Sequence, residues 1–177
     1  MIVITEPLVS FLITVQRITD KHVPLIPTIP TGIFLPKIIQ AMQSSHSCTY
    51  SIAVRCISSI LATEDASVID KALLEGVVQS FYTNLFRQEL EVIKEALWGL
   101  SNLCCSADNH ISYVLENEDL VLRLIGLMSH PAYKIVCEST WVITNALTSC
   151  SPETLFKFTV KYFGTLVEPL ANSINLV

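Results

Sequence analysis

Apolar residues recur along this chain at intervals of three and four, broken by short polar or proline-bearing stretches, and that periodicity predicts helices almost throughout. A first helix is expected over residues 6–19, with Leu8, Leu12 and Val15 among its apolar positions. Pro24, Pro27 and Pro30 each remove an amide donor and restrict the residue before them, so residues 20–31 read as a connector in which a short helix is lost. Helices over 33–43 and 48–62 follow. After the polar break at 63–65, two fuller units are expected: helices over 67–74, 77–87 and 89–105, then over 111–115, 120–128 and 133–147. The last unit opens with Ser151 as N-cap and Pro152 at the first helical position, where a missing amide does no harm. It should run over 155–162, break at Gly164 and resume at 166–177.

Two of these helices carry the same phrase. Glu95-Ala96-Leu97-Trp98-Gly99-Leu100-Ser101-Asn102 returns as Glu138-Ser139-Thr140-Trp141-Val142-Ile143-Thr144-Asn145, with Glu, Trp and Asn all displaced by 43 residues. A fixed period of that size marks a helical repeat array. On an α-helix, Trp and Asn four residues apart share a face, and the acid three residues before the Trp joins them. The apolar stripe runs elsewhere, through Ala96, Leu100, Leu103 and Cys104 in one copy and Ser139, Ile143, Ala146 and Leu147 in the other. Shifting back by 43 sets Arg55 at the Trp position and Ser59 at the Asn position; a further shift of 44 sets Phe11 and Val15 there. The repeat extends toward the amino end, but its polar face does not.

Composition narrows the picture. A chain of 177 residues with 51% hydrophobic content reads as one ordered domain over 1–177 with partial units at both ends. Charged residues make up 15%, against about 25% in a typical soluble domain. That excess of apolar surface fits a solenoid whose ends lack polar caps, and it makes self-association through exposed repeat ends an expectation. The net charge of −5 argues against nucleic acid or an anionic membrane as the main partner and favours a basic one. Cys48, Cys56, Cys104, Cys105, Cys137 and Cys150 fall within helical patterns, with Cys104 and Cys105 expected as one core and one surface residue, so they read as reduced thiols of an intracellular chain. Residues 1–15 lack the basic start of a signal peptide and are interrupted by Glu6. No apolar run reaches the roughly 18 residues a membrane span requires. His22, His46, His110 and His130 are scattered, with no His-x-x-x-His or Cys-x-x-Cys, so no metal site is expected. Neither a phosphate loop nor a nucleophile elbow is present, and neither a cofactor nor an enzymatic activity is expected.

Three helices per unit, a period near 43 and Glu-x-x-Trp-x-x-x-Asn on the third helix resemble the armadillo repeats of importin-α, the adaptor family that carries nuclear-localisation signals. The repeat resemblance covers the chain from about Glu6 onward, and the Trp/Asn motif covers two units. It implies an all-α, right-handed superhelical solenoid of about four repeats, a role in nuclear protein import, a cytoplasmic and nuclear location, and as partners the Lys/Arg-rich segments of cargo proteins together with other transport factors. In that family the third helices line a concave groove crossed by an extended basic peptide. Trp98, Asn102, Trp141 and Asn145 would then be the binding ladder, with Glu95 and Glu138 adding negative potential or capping interhelical contacts. The residue types suit peptide capture, because Asn amides offer donor and acceptor to a peptide backbone, and indoles flank the aliphatic stems and charged ends of Lys or Arg. An architectural reading stands beside this one, since Asn at these positions can instead hold a neighbouring repeat, as in armadillo proteins of the β-catenin type.

The chain departs from the importin-α pattern at three points. Phe11 and Arg55 stand where Trp would be, and Arg55 would bring positive charge to a groove for basic peptides. Ser106 and Ser149 stand four residues after each Asn, where the family often has Gly or an acid. A basic amino-terminal segment of the kind that engages importin-β is absent from this sequence.

Overall fold

A computed structural model of the chain describes residues 6–21, 31–63 and 65–174, and all regular structure among them is helical. Helices α1 (Glu6–Lys21), α2 (Thr31–Ala41) and α3 (Ser47–Leu61) are followed by the triplets α4 (Ala66–Leu74), α5 (Val77–Asn84), α6 (Leu90–Cys104) and α7 (Asp108–Leu115), α8 (Glu118–Leu127), α9 (Tyr133–Ser149). A long helix, α10 (Pro152–Ile174), ends the series. The prolines expected to form a connector, Pro24, Pro27 and Pro30, lie outside the described residues.

Local chemistry sets the boundaries. Asp65 caps α4 by accepting from the amides of Ser67 at 2.9 Å and Val68 at 3.4 Å, and these bonds, with the Ser67 hydroxyl first among them, hold its carboxyl below the ordinary value. Asn117 caps α8 through the Leu120 amide, and Ser151 caps α10 through that of Thr154, as its position before Pro152 predicts. Gly76, at φ +77°, supplies the left-handed residue that turns the chain from α4 into α5. Helix α5 stops at Asn84, three residues earlier than expected, where the Asn side chain turns inward.

The helices form two layers. Helix α1 packs on α3, α3 on α6, and α6 on α9, so the third helix of each unit lies against the third helix of the next. The other layer is built from α2, α4, α5, α7 and α8, with α10 packed on α8. One core runs between the layers from Leu12 to Leu166, and its largest fully buried ring is Phe81. Stacking like this is what single units need, because none can bury its apolar face alone. The expected stripe of Ala96, Leu100, Leu103 and Cys104 is wholly buried, as are Ser139 and Ala146 in the next copy.

One expectation is overturned. Helix α10 does not break at Gly164 but runs on through it and through Pro169. Phe158, Tyr162, Leu166 and Pro169 fall on one side and are buried against the preceding units. Burying such side chains yields about 1.5–3 kcal/mol each, which outweighs the roughly 1 kcal/mol that a helical glycine costs.

Between units the joints are polar as well as apolar. Asn84, fully buried, donates from Nδ2 to the Met42 carbonyl at 3.1 Å and to that of Ser80 at 2.8 Å. Arg87 donates to Asn84 Oδ1 and to the Ser44 carbonyl at 3.0 Å, with its guanidinium 3.9 Å from the Tyr50 ring centre. Buried His110 joins α7 to α4 through Asp70 at 2.8 Å.

Candidate functional site

The expected ladder stands on the layer formed by α3, α6 and α9. Trp98 is 36% exposed and Trp141 is 58% exposed, so both indoles lie open on adjacent helices while neighbouring residues pack into the core. This is the division of faces that the 43-residue register implies. The leucine before Trp98 and the valine after Trp141 are fully buried.

The asparagines are only partly free. Asn102 donates from Nδ2 to the Ser58 carbonyl of α3 at 3.1 Å, and Asn145 donates from Nδ2 to Ser101 Oγ of α6 at 2.8 Å. Each therefore ties its helix to the third helix of the unit before, as the architectural reading requires. An amide has two N–H groups and an oxygen with two lone pairs, so one proton and the oxygen of each remain uncommitted among the described residues.

Ser58 and Ser101, the acceptors, do not stand out in the sequence on the strength of the Trp/Asn spacing. They too are 43 residues apart. Applying the period to small polar residues on the apolar stripe, and not only to Trp and Asn, reveals them. Both are buried, and Ser58 Oγ also donates to the Glu95 carbonyl at 2.7 Å.

The two acids differ in their surroundings. Glu95 lies near Lys94 at 3.6 Å and Arg55 at 4.0 Å, so its charge is largely met by its own chain. Lys94 also pairs with Glu91. Glu138 has no ion-pair partner among the described residues. Burial holds its carboxyl above the ordinary value of 4.5, with Lys94 pulling it down and Glu95 pushing it up. Glu138 is thus the carboxylate on this face that gains most from an incoming cation.

Ahead of Trp98 the surface deepens into a cavity of about 320 Å³, lined in part by Arg55, Ser51, Ile52, Glu89, Glu91 and Glu95. Arg55 lines this cavity together with Glu95, to which it pairs at 4.0 Å. Glu89 accepts from the Tyr50 hydroxyl at 2.6 Å, a bond that holds its carboxyl below the ordinary range. Phe11, at the next Trp position back, is half-buried with its ring centre 4.7 Å from that of Phe34, and Val15 is buried. An open ladder of Trp and Asn thus spans α6 and α9.

The cysteines divide by depth: Cys56 and Cys104 are buried, Cys48 and Cys105 exposed, and Cys137 and Cys150 half-buried, all six as free thiols. Burial raises the Cys104 thiol far above its ordinary value, which keeps it protonated and unreactive. Among the described residues no three His, Cys, Asp or Glu side chains gather as a metal ion would need, and no helix is long and apolar enough to cross a membrane.

Triplets of helices whose third members stack on one another and carry a repeated Trp/Asn face define an armadillo-repeat solenoid. Solved structures agree on the fold: a designed armadillo repeat protein in complex with the peptide (KR)4 superposes with a TM-score of 0.75 at 20% identity, covering 90% of this chain and 62% of that one. Computationally designed armadillo repeat proteins for modular peptide recognition give a TM-score of 0.79 at 17% identity, covering 91% of this chain and 65% of theirs. Within that class the chain resembles importin-α: it is 26% identical over 112 residues to importin subunit alpha-1b of Oryza sativa subsp. japonica, a match covering 63% of this chain. It spans 21% of that subunit's length. No protein-family model matches the chain.

Proposed function

We infer that the α6–α9 face binds an extended, Lys/Arg-rich peptide, with Trp98 and Trp141 flanking basic side chains, Asn102 and Asn145 bonding the peptide backbone, and Glu95 and Glu138 supplying negative potential. The observation that carries this reading is the pair of exposed indoles, held in one register on neighbouring helices beside a carboxylate that has no ion-pair partner among the described residues. The resemblance to importin-α extends the reading to cargo segments of the nuclear-localisation type, to a part in nuclear protein import, and to a cytoplasmic and nuclear location. The designed armadillo protein bound to (KR)4 supports the chemistry of basic-peptide capture on this fold.

The affinity should be modest. Two cation–π contacts contribute about 0.5–2 kcal/mol each and a few backbone hydrogen bonds about 0.5–1.5 each, against the cost of ordering the peptide. The total is on the order of 8 kcal/mol at most, or micromolar binding.

Titration of a fluorescent Lys/Arg-rich peptide tests the reading. Trp141→Ala, at the more open indole, should change stability little, whereas Trp98, only 36% exposed, also packs on its own chain, so Trp98→Ala should cost about 1–2 kcal/mol of stability as well. Each should weaken the peptide by about 2- to 30-fold, with further weakening on raising the salt. Unchanged peptide affinity in the double variant would remove the groove reading. Asn102→Ala is a poorer probe, since it also cuts the tie to Ser58.

A pH series adds a second check. Peptide cations favour ionised Glu138, so binding should release a proton and tighten as pH rises from 4.5 through the raised value of that group. The expected gain is up to about fivefold, the size of a partly exposed ion pair. Glu138→Gln should flatten the profile. The unliganded chain has the opposite sign: a carboxyl raised on folding lowers stability as pH climbs through the same window, so Glu138→Gln should slightly stabilise the free protein at neutral pH.

A further inference from the structure

Helix α10 carries a second apolar stripe on the side away from the core. Phe156, Val160, Phe163 and Val167 are between 47% and 71% exposed. Their spacing of four, three and four keeps them on one face and matches the seam of a coiled coil. The buried stripe of Phe158, Tyr162 and Leu166 anchors the helix to its own chain, and the described residues leave the outer stripe uncovered.

We propose that this stripe is the interface of a homodimer, formed by α10 of one copy packing antiparallel on α10 of a second. The register follows from the residues. Setting Phe156 against Val167 of the second copy also sets Val160 against Phe163, and the two-fold axis repeats both layers, so the same patch is complementary to itself. Charge agrees with that register. Lys157 and Glu168 lie on the same flank of the stripe, and the antiparallel arrangement brings Lys157 alongside Glu168 of the second copy, twice over. Glu168 has no ion-pair partner among the described residues, while Lys157 is held by the exposed Glu153, at 2.7 Å. Lys161 is committed elsewhere, to Glu118 at 2.8 Å. Gly164 lies on this flank with nothing within 4 Å of where a side chain would begin, which leaves Lys157 room to pass. A parallel pairing would instead oppose Phe156 to Phe156 and set like charges together. Four such side chains on each of two copies amount to about 900 Å², close to the ~1,000 Å² at which specific interfaces begin, so the dimer should be weak and reversible.

Sedimentation velocity over a concentration series tests this. The wild-type chain should move from its 19.6 kDa mass toward twice that value, while Phe163→Glu, at an exposed position, should stay monomeric with unchanged helical circular dichroism. Lys157→Glu and Glu168→Lys should each weaken association at least about tenfold, through two like-charge contacts per dimer. Mixing those two variants should restore it, because the mixed antiparallel dimer pairs Glu with Lys at both ends of the seam. A wild-type chain that stays monomeric throughout would overturn the proposal and leave the stripe to another occupant. Association that ignores Phe163→Glu, or a mixture no tighter than either variant alone, would overturn it equally.

Discussion

Gly99→Ala is expected to lower the stability of the chain by about 2 kcal/mol. A Cβ at this position would meet Phe81 Cζ at 2.3 Å and Ser58 Oγ at 2.5 Å, both on fully buried side chains of the two helices that α6 crosses. Overpacking of this kind costs about 1–3 kcal/mol, and the upper end applies because neither neighbour has space to retreat. Alanine returns about 1 kcal/mol through its better helix propensity. Thermal denaturation should show a fall of about 4–8 °C, given about 2–4 °C per kcal/mol for a chain of this size. Gly126→Ala and Gly164→Ala are the controls, since an added Cβ there meets nothing within 4 Å. Those two changes should raise stability by about 0.5–1 kcal/mol, so the same substitution changes sign with its surroundings. A midpoint unmoved by Gly99→Ala would mean that α3, α5 and α6 do not approach as described. The effect should reach function too, because Trp98 precedes Gly99 and moves with it when α6 is pushed off Phe81.

Asn84→Ala should cost about 2–3 kcal/mol. The change strands the buried Met42 carbonyl, at a desolvation penalty of about 1–3 kcal/mol, and removes the acceptor of the half-buried Arg87 Nε, a bond worth about 1 kcal/mol. Asn84→Leu should be no better, because it restores volume without either bond. The loss falls on one joint, between the turn after α2 and the end of α5. In a solenoid, stability is roughly a sum of units and nearest-neighbour interfaces. Hydrogen exchange should therefore quicken first around α2 and α3, with α7 to α9 much less affected. Uniform loosening along the chain would contradict a joint-by-joint account.

The ladder shows how far sequence carries a site. Trp98 and Trp141 declare themselves by period alone, and their exposure follows from the helical face they share with Glu95 and Glu138. Arg55, at the same register position, reads as a charge in the wrong place until its neighbour Glu95 is seen. The asparagines are more instructive, because spacing shows where they stand and not where they donate. Asn102 and Asn145 each spend one N–H on a residue 44 positions earlier, a partner that no local pattern names. Gly164 misleads for a related reason: glycine and proline are strong punctuation locally, yet the buried stripe of α10 outweighs them.

The sequence by itself determined the helical content, the 43-residue register, the order of the units and the face on which the tryptophans lie. All of these rest on interactions within a turn or two of helix, or on a pattern that repeats along the chain. Only the tertiary structure decided that each asparagine amide spends one N–H on the unit before it, that Glu95 is met by Arg55 and Lys94 while Glu138 lacks an ion-pair partner among the described residues, that Gly99 admits Phe81, and that the described residues leave one apolar face of α10 uncovered. Most of those outcomes turn on atoms brought together from different units by stacking. The uncovered face of α10 turns on which of two apolar stripes the stack buries, and the energy of burial is resolved only when the helices are in place.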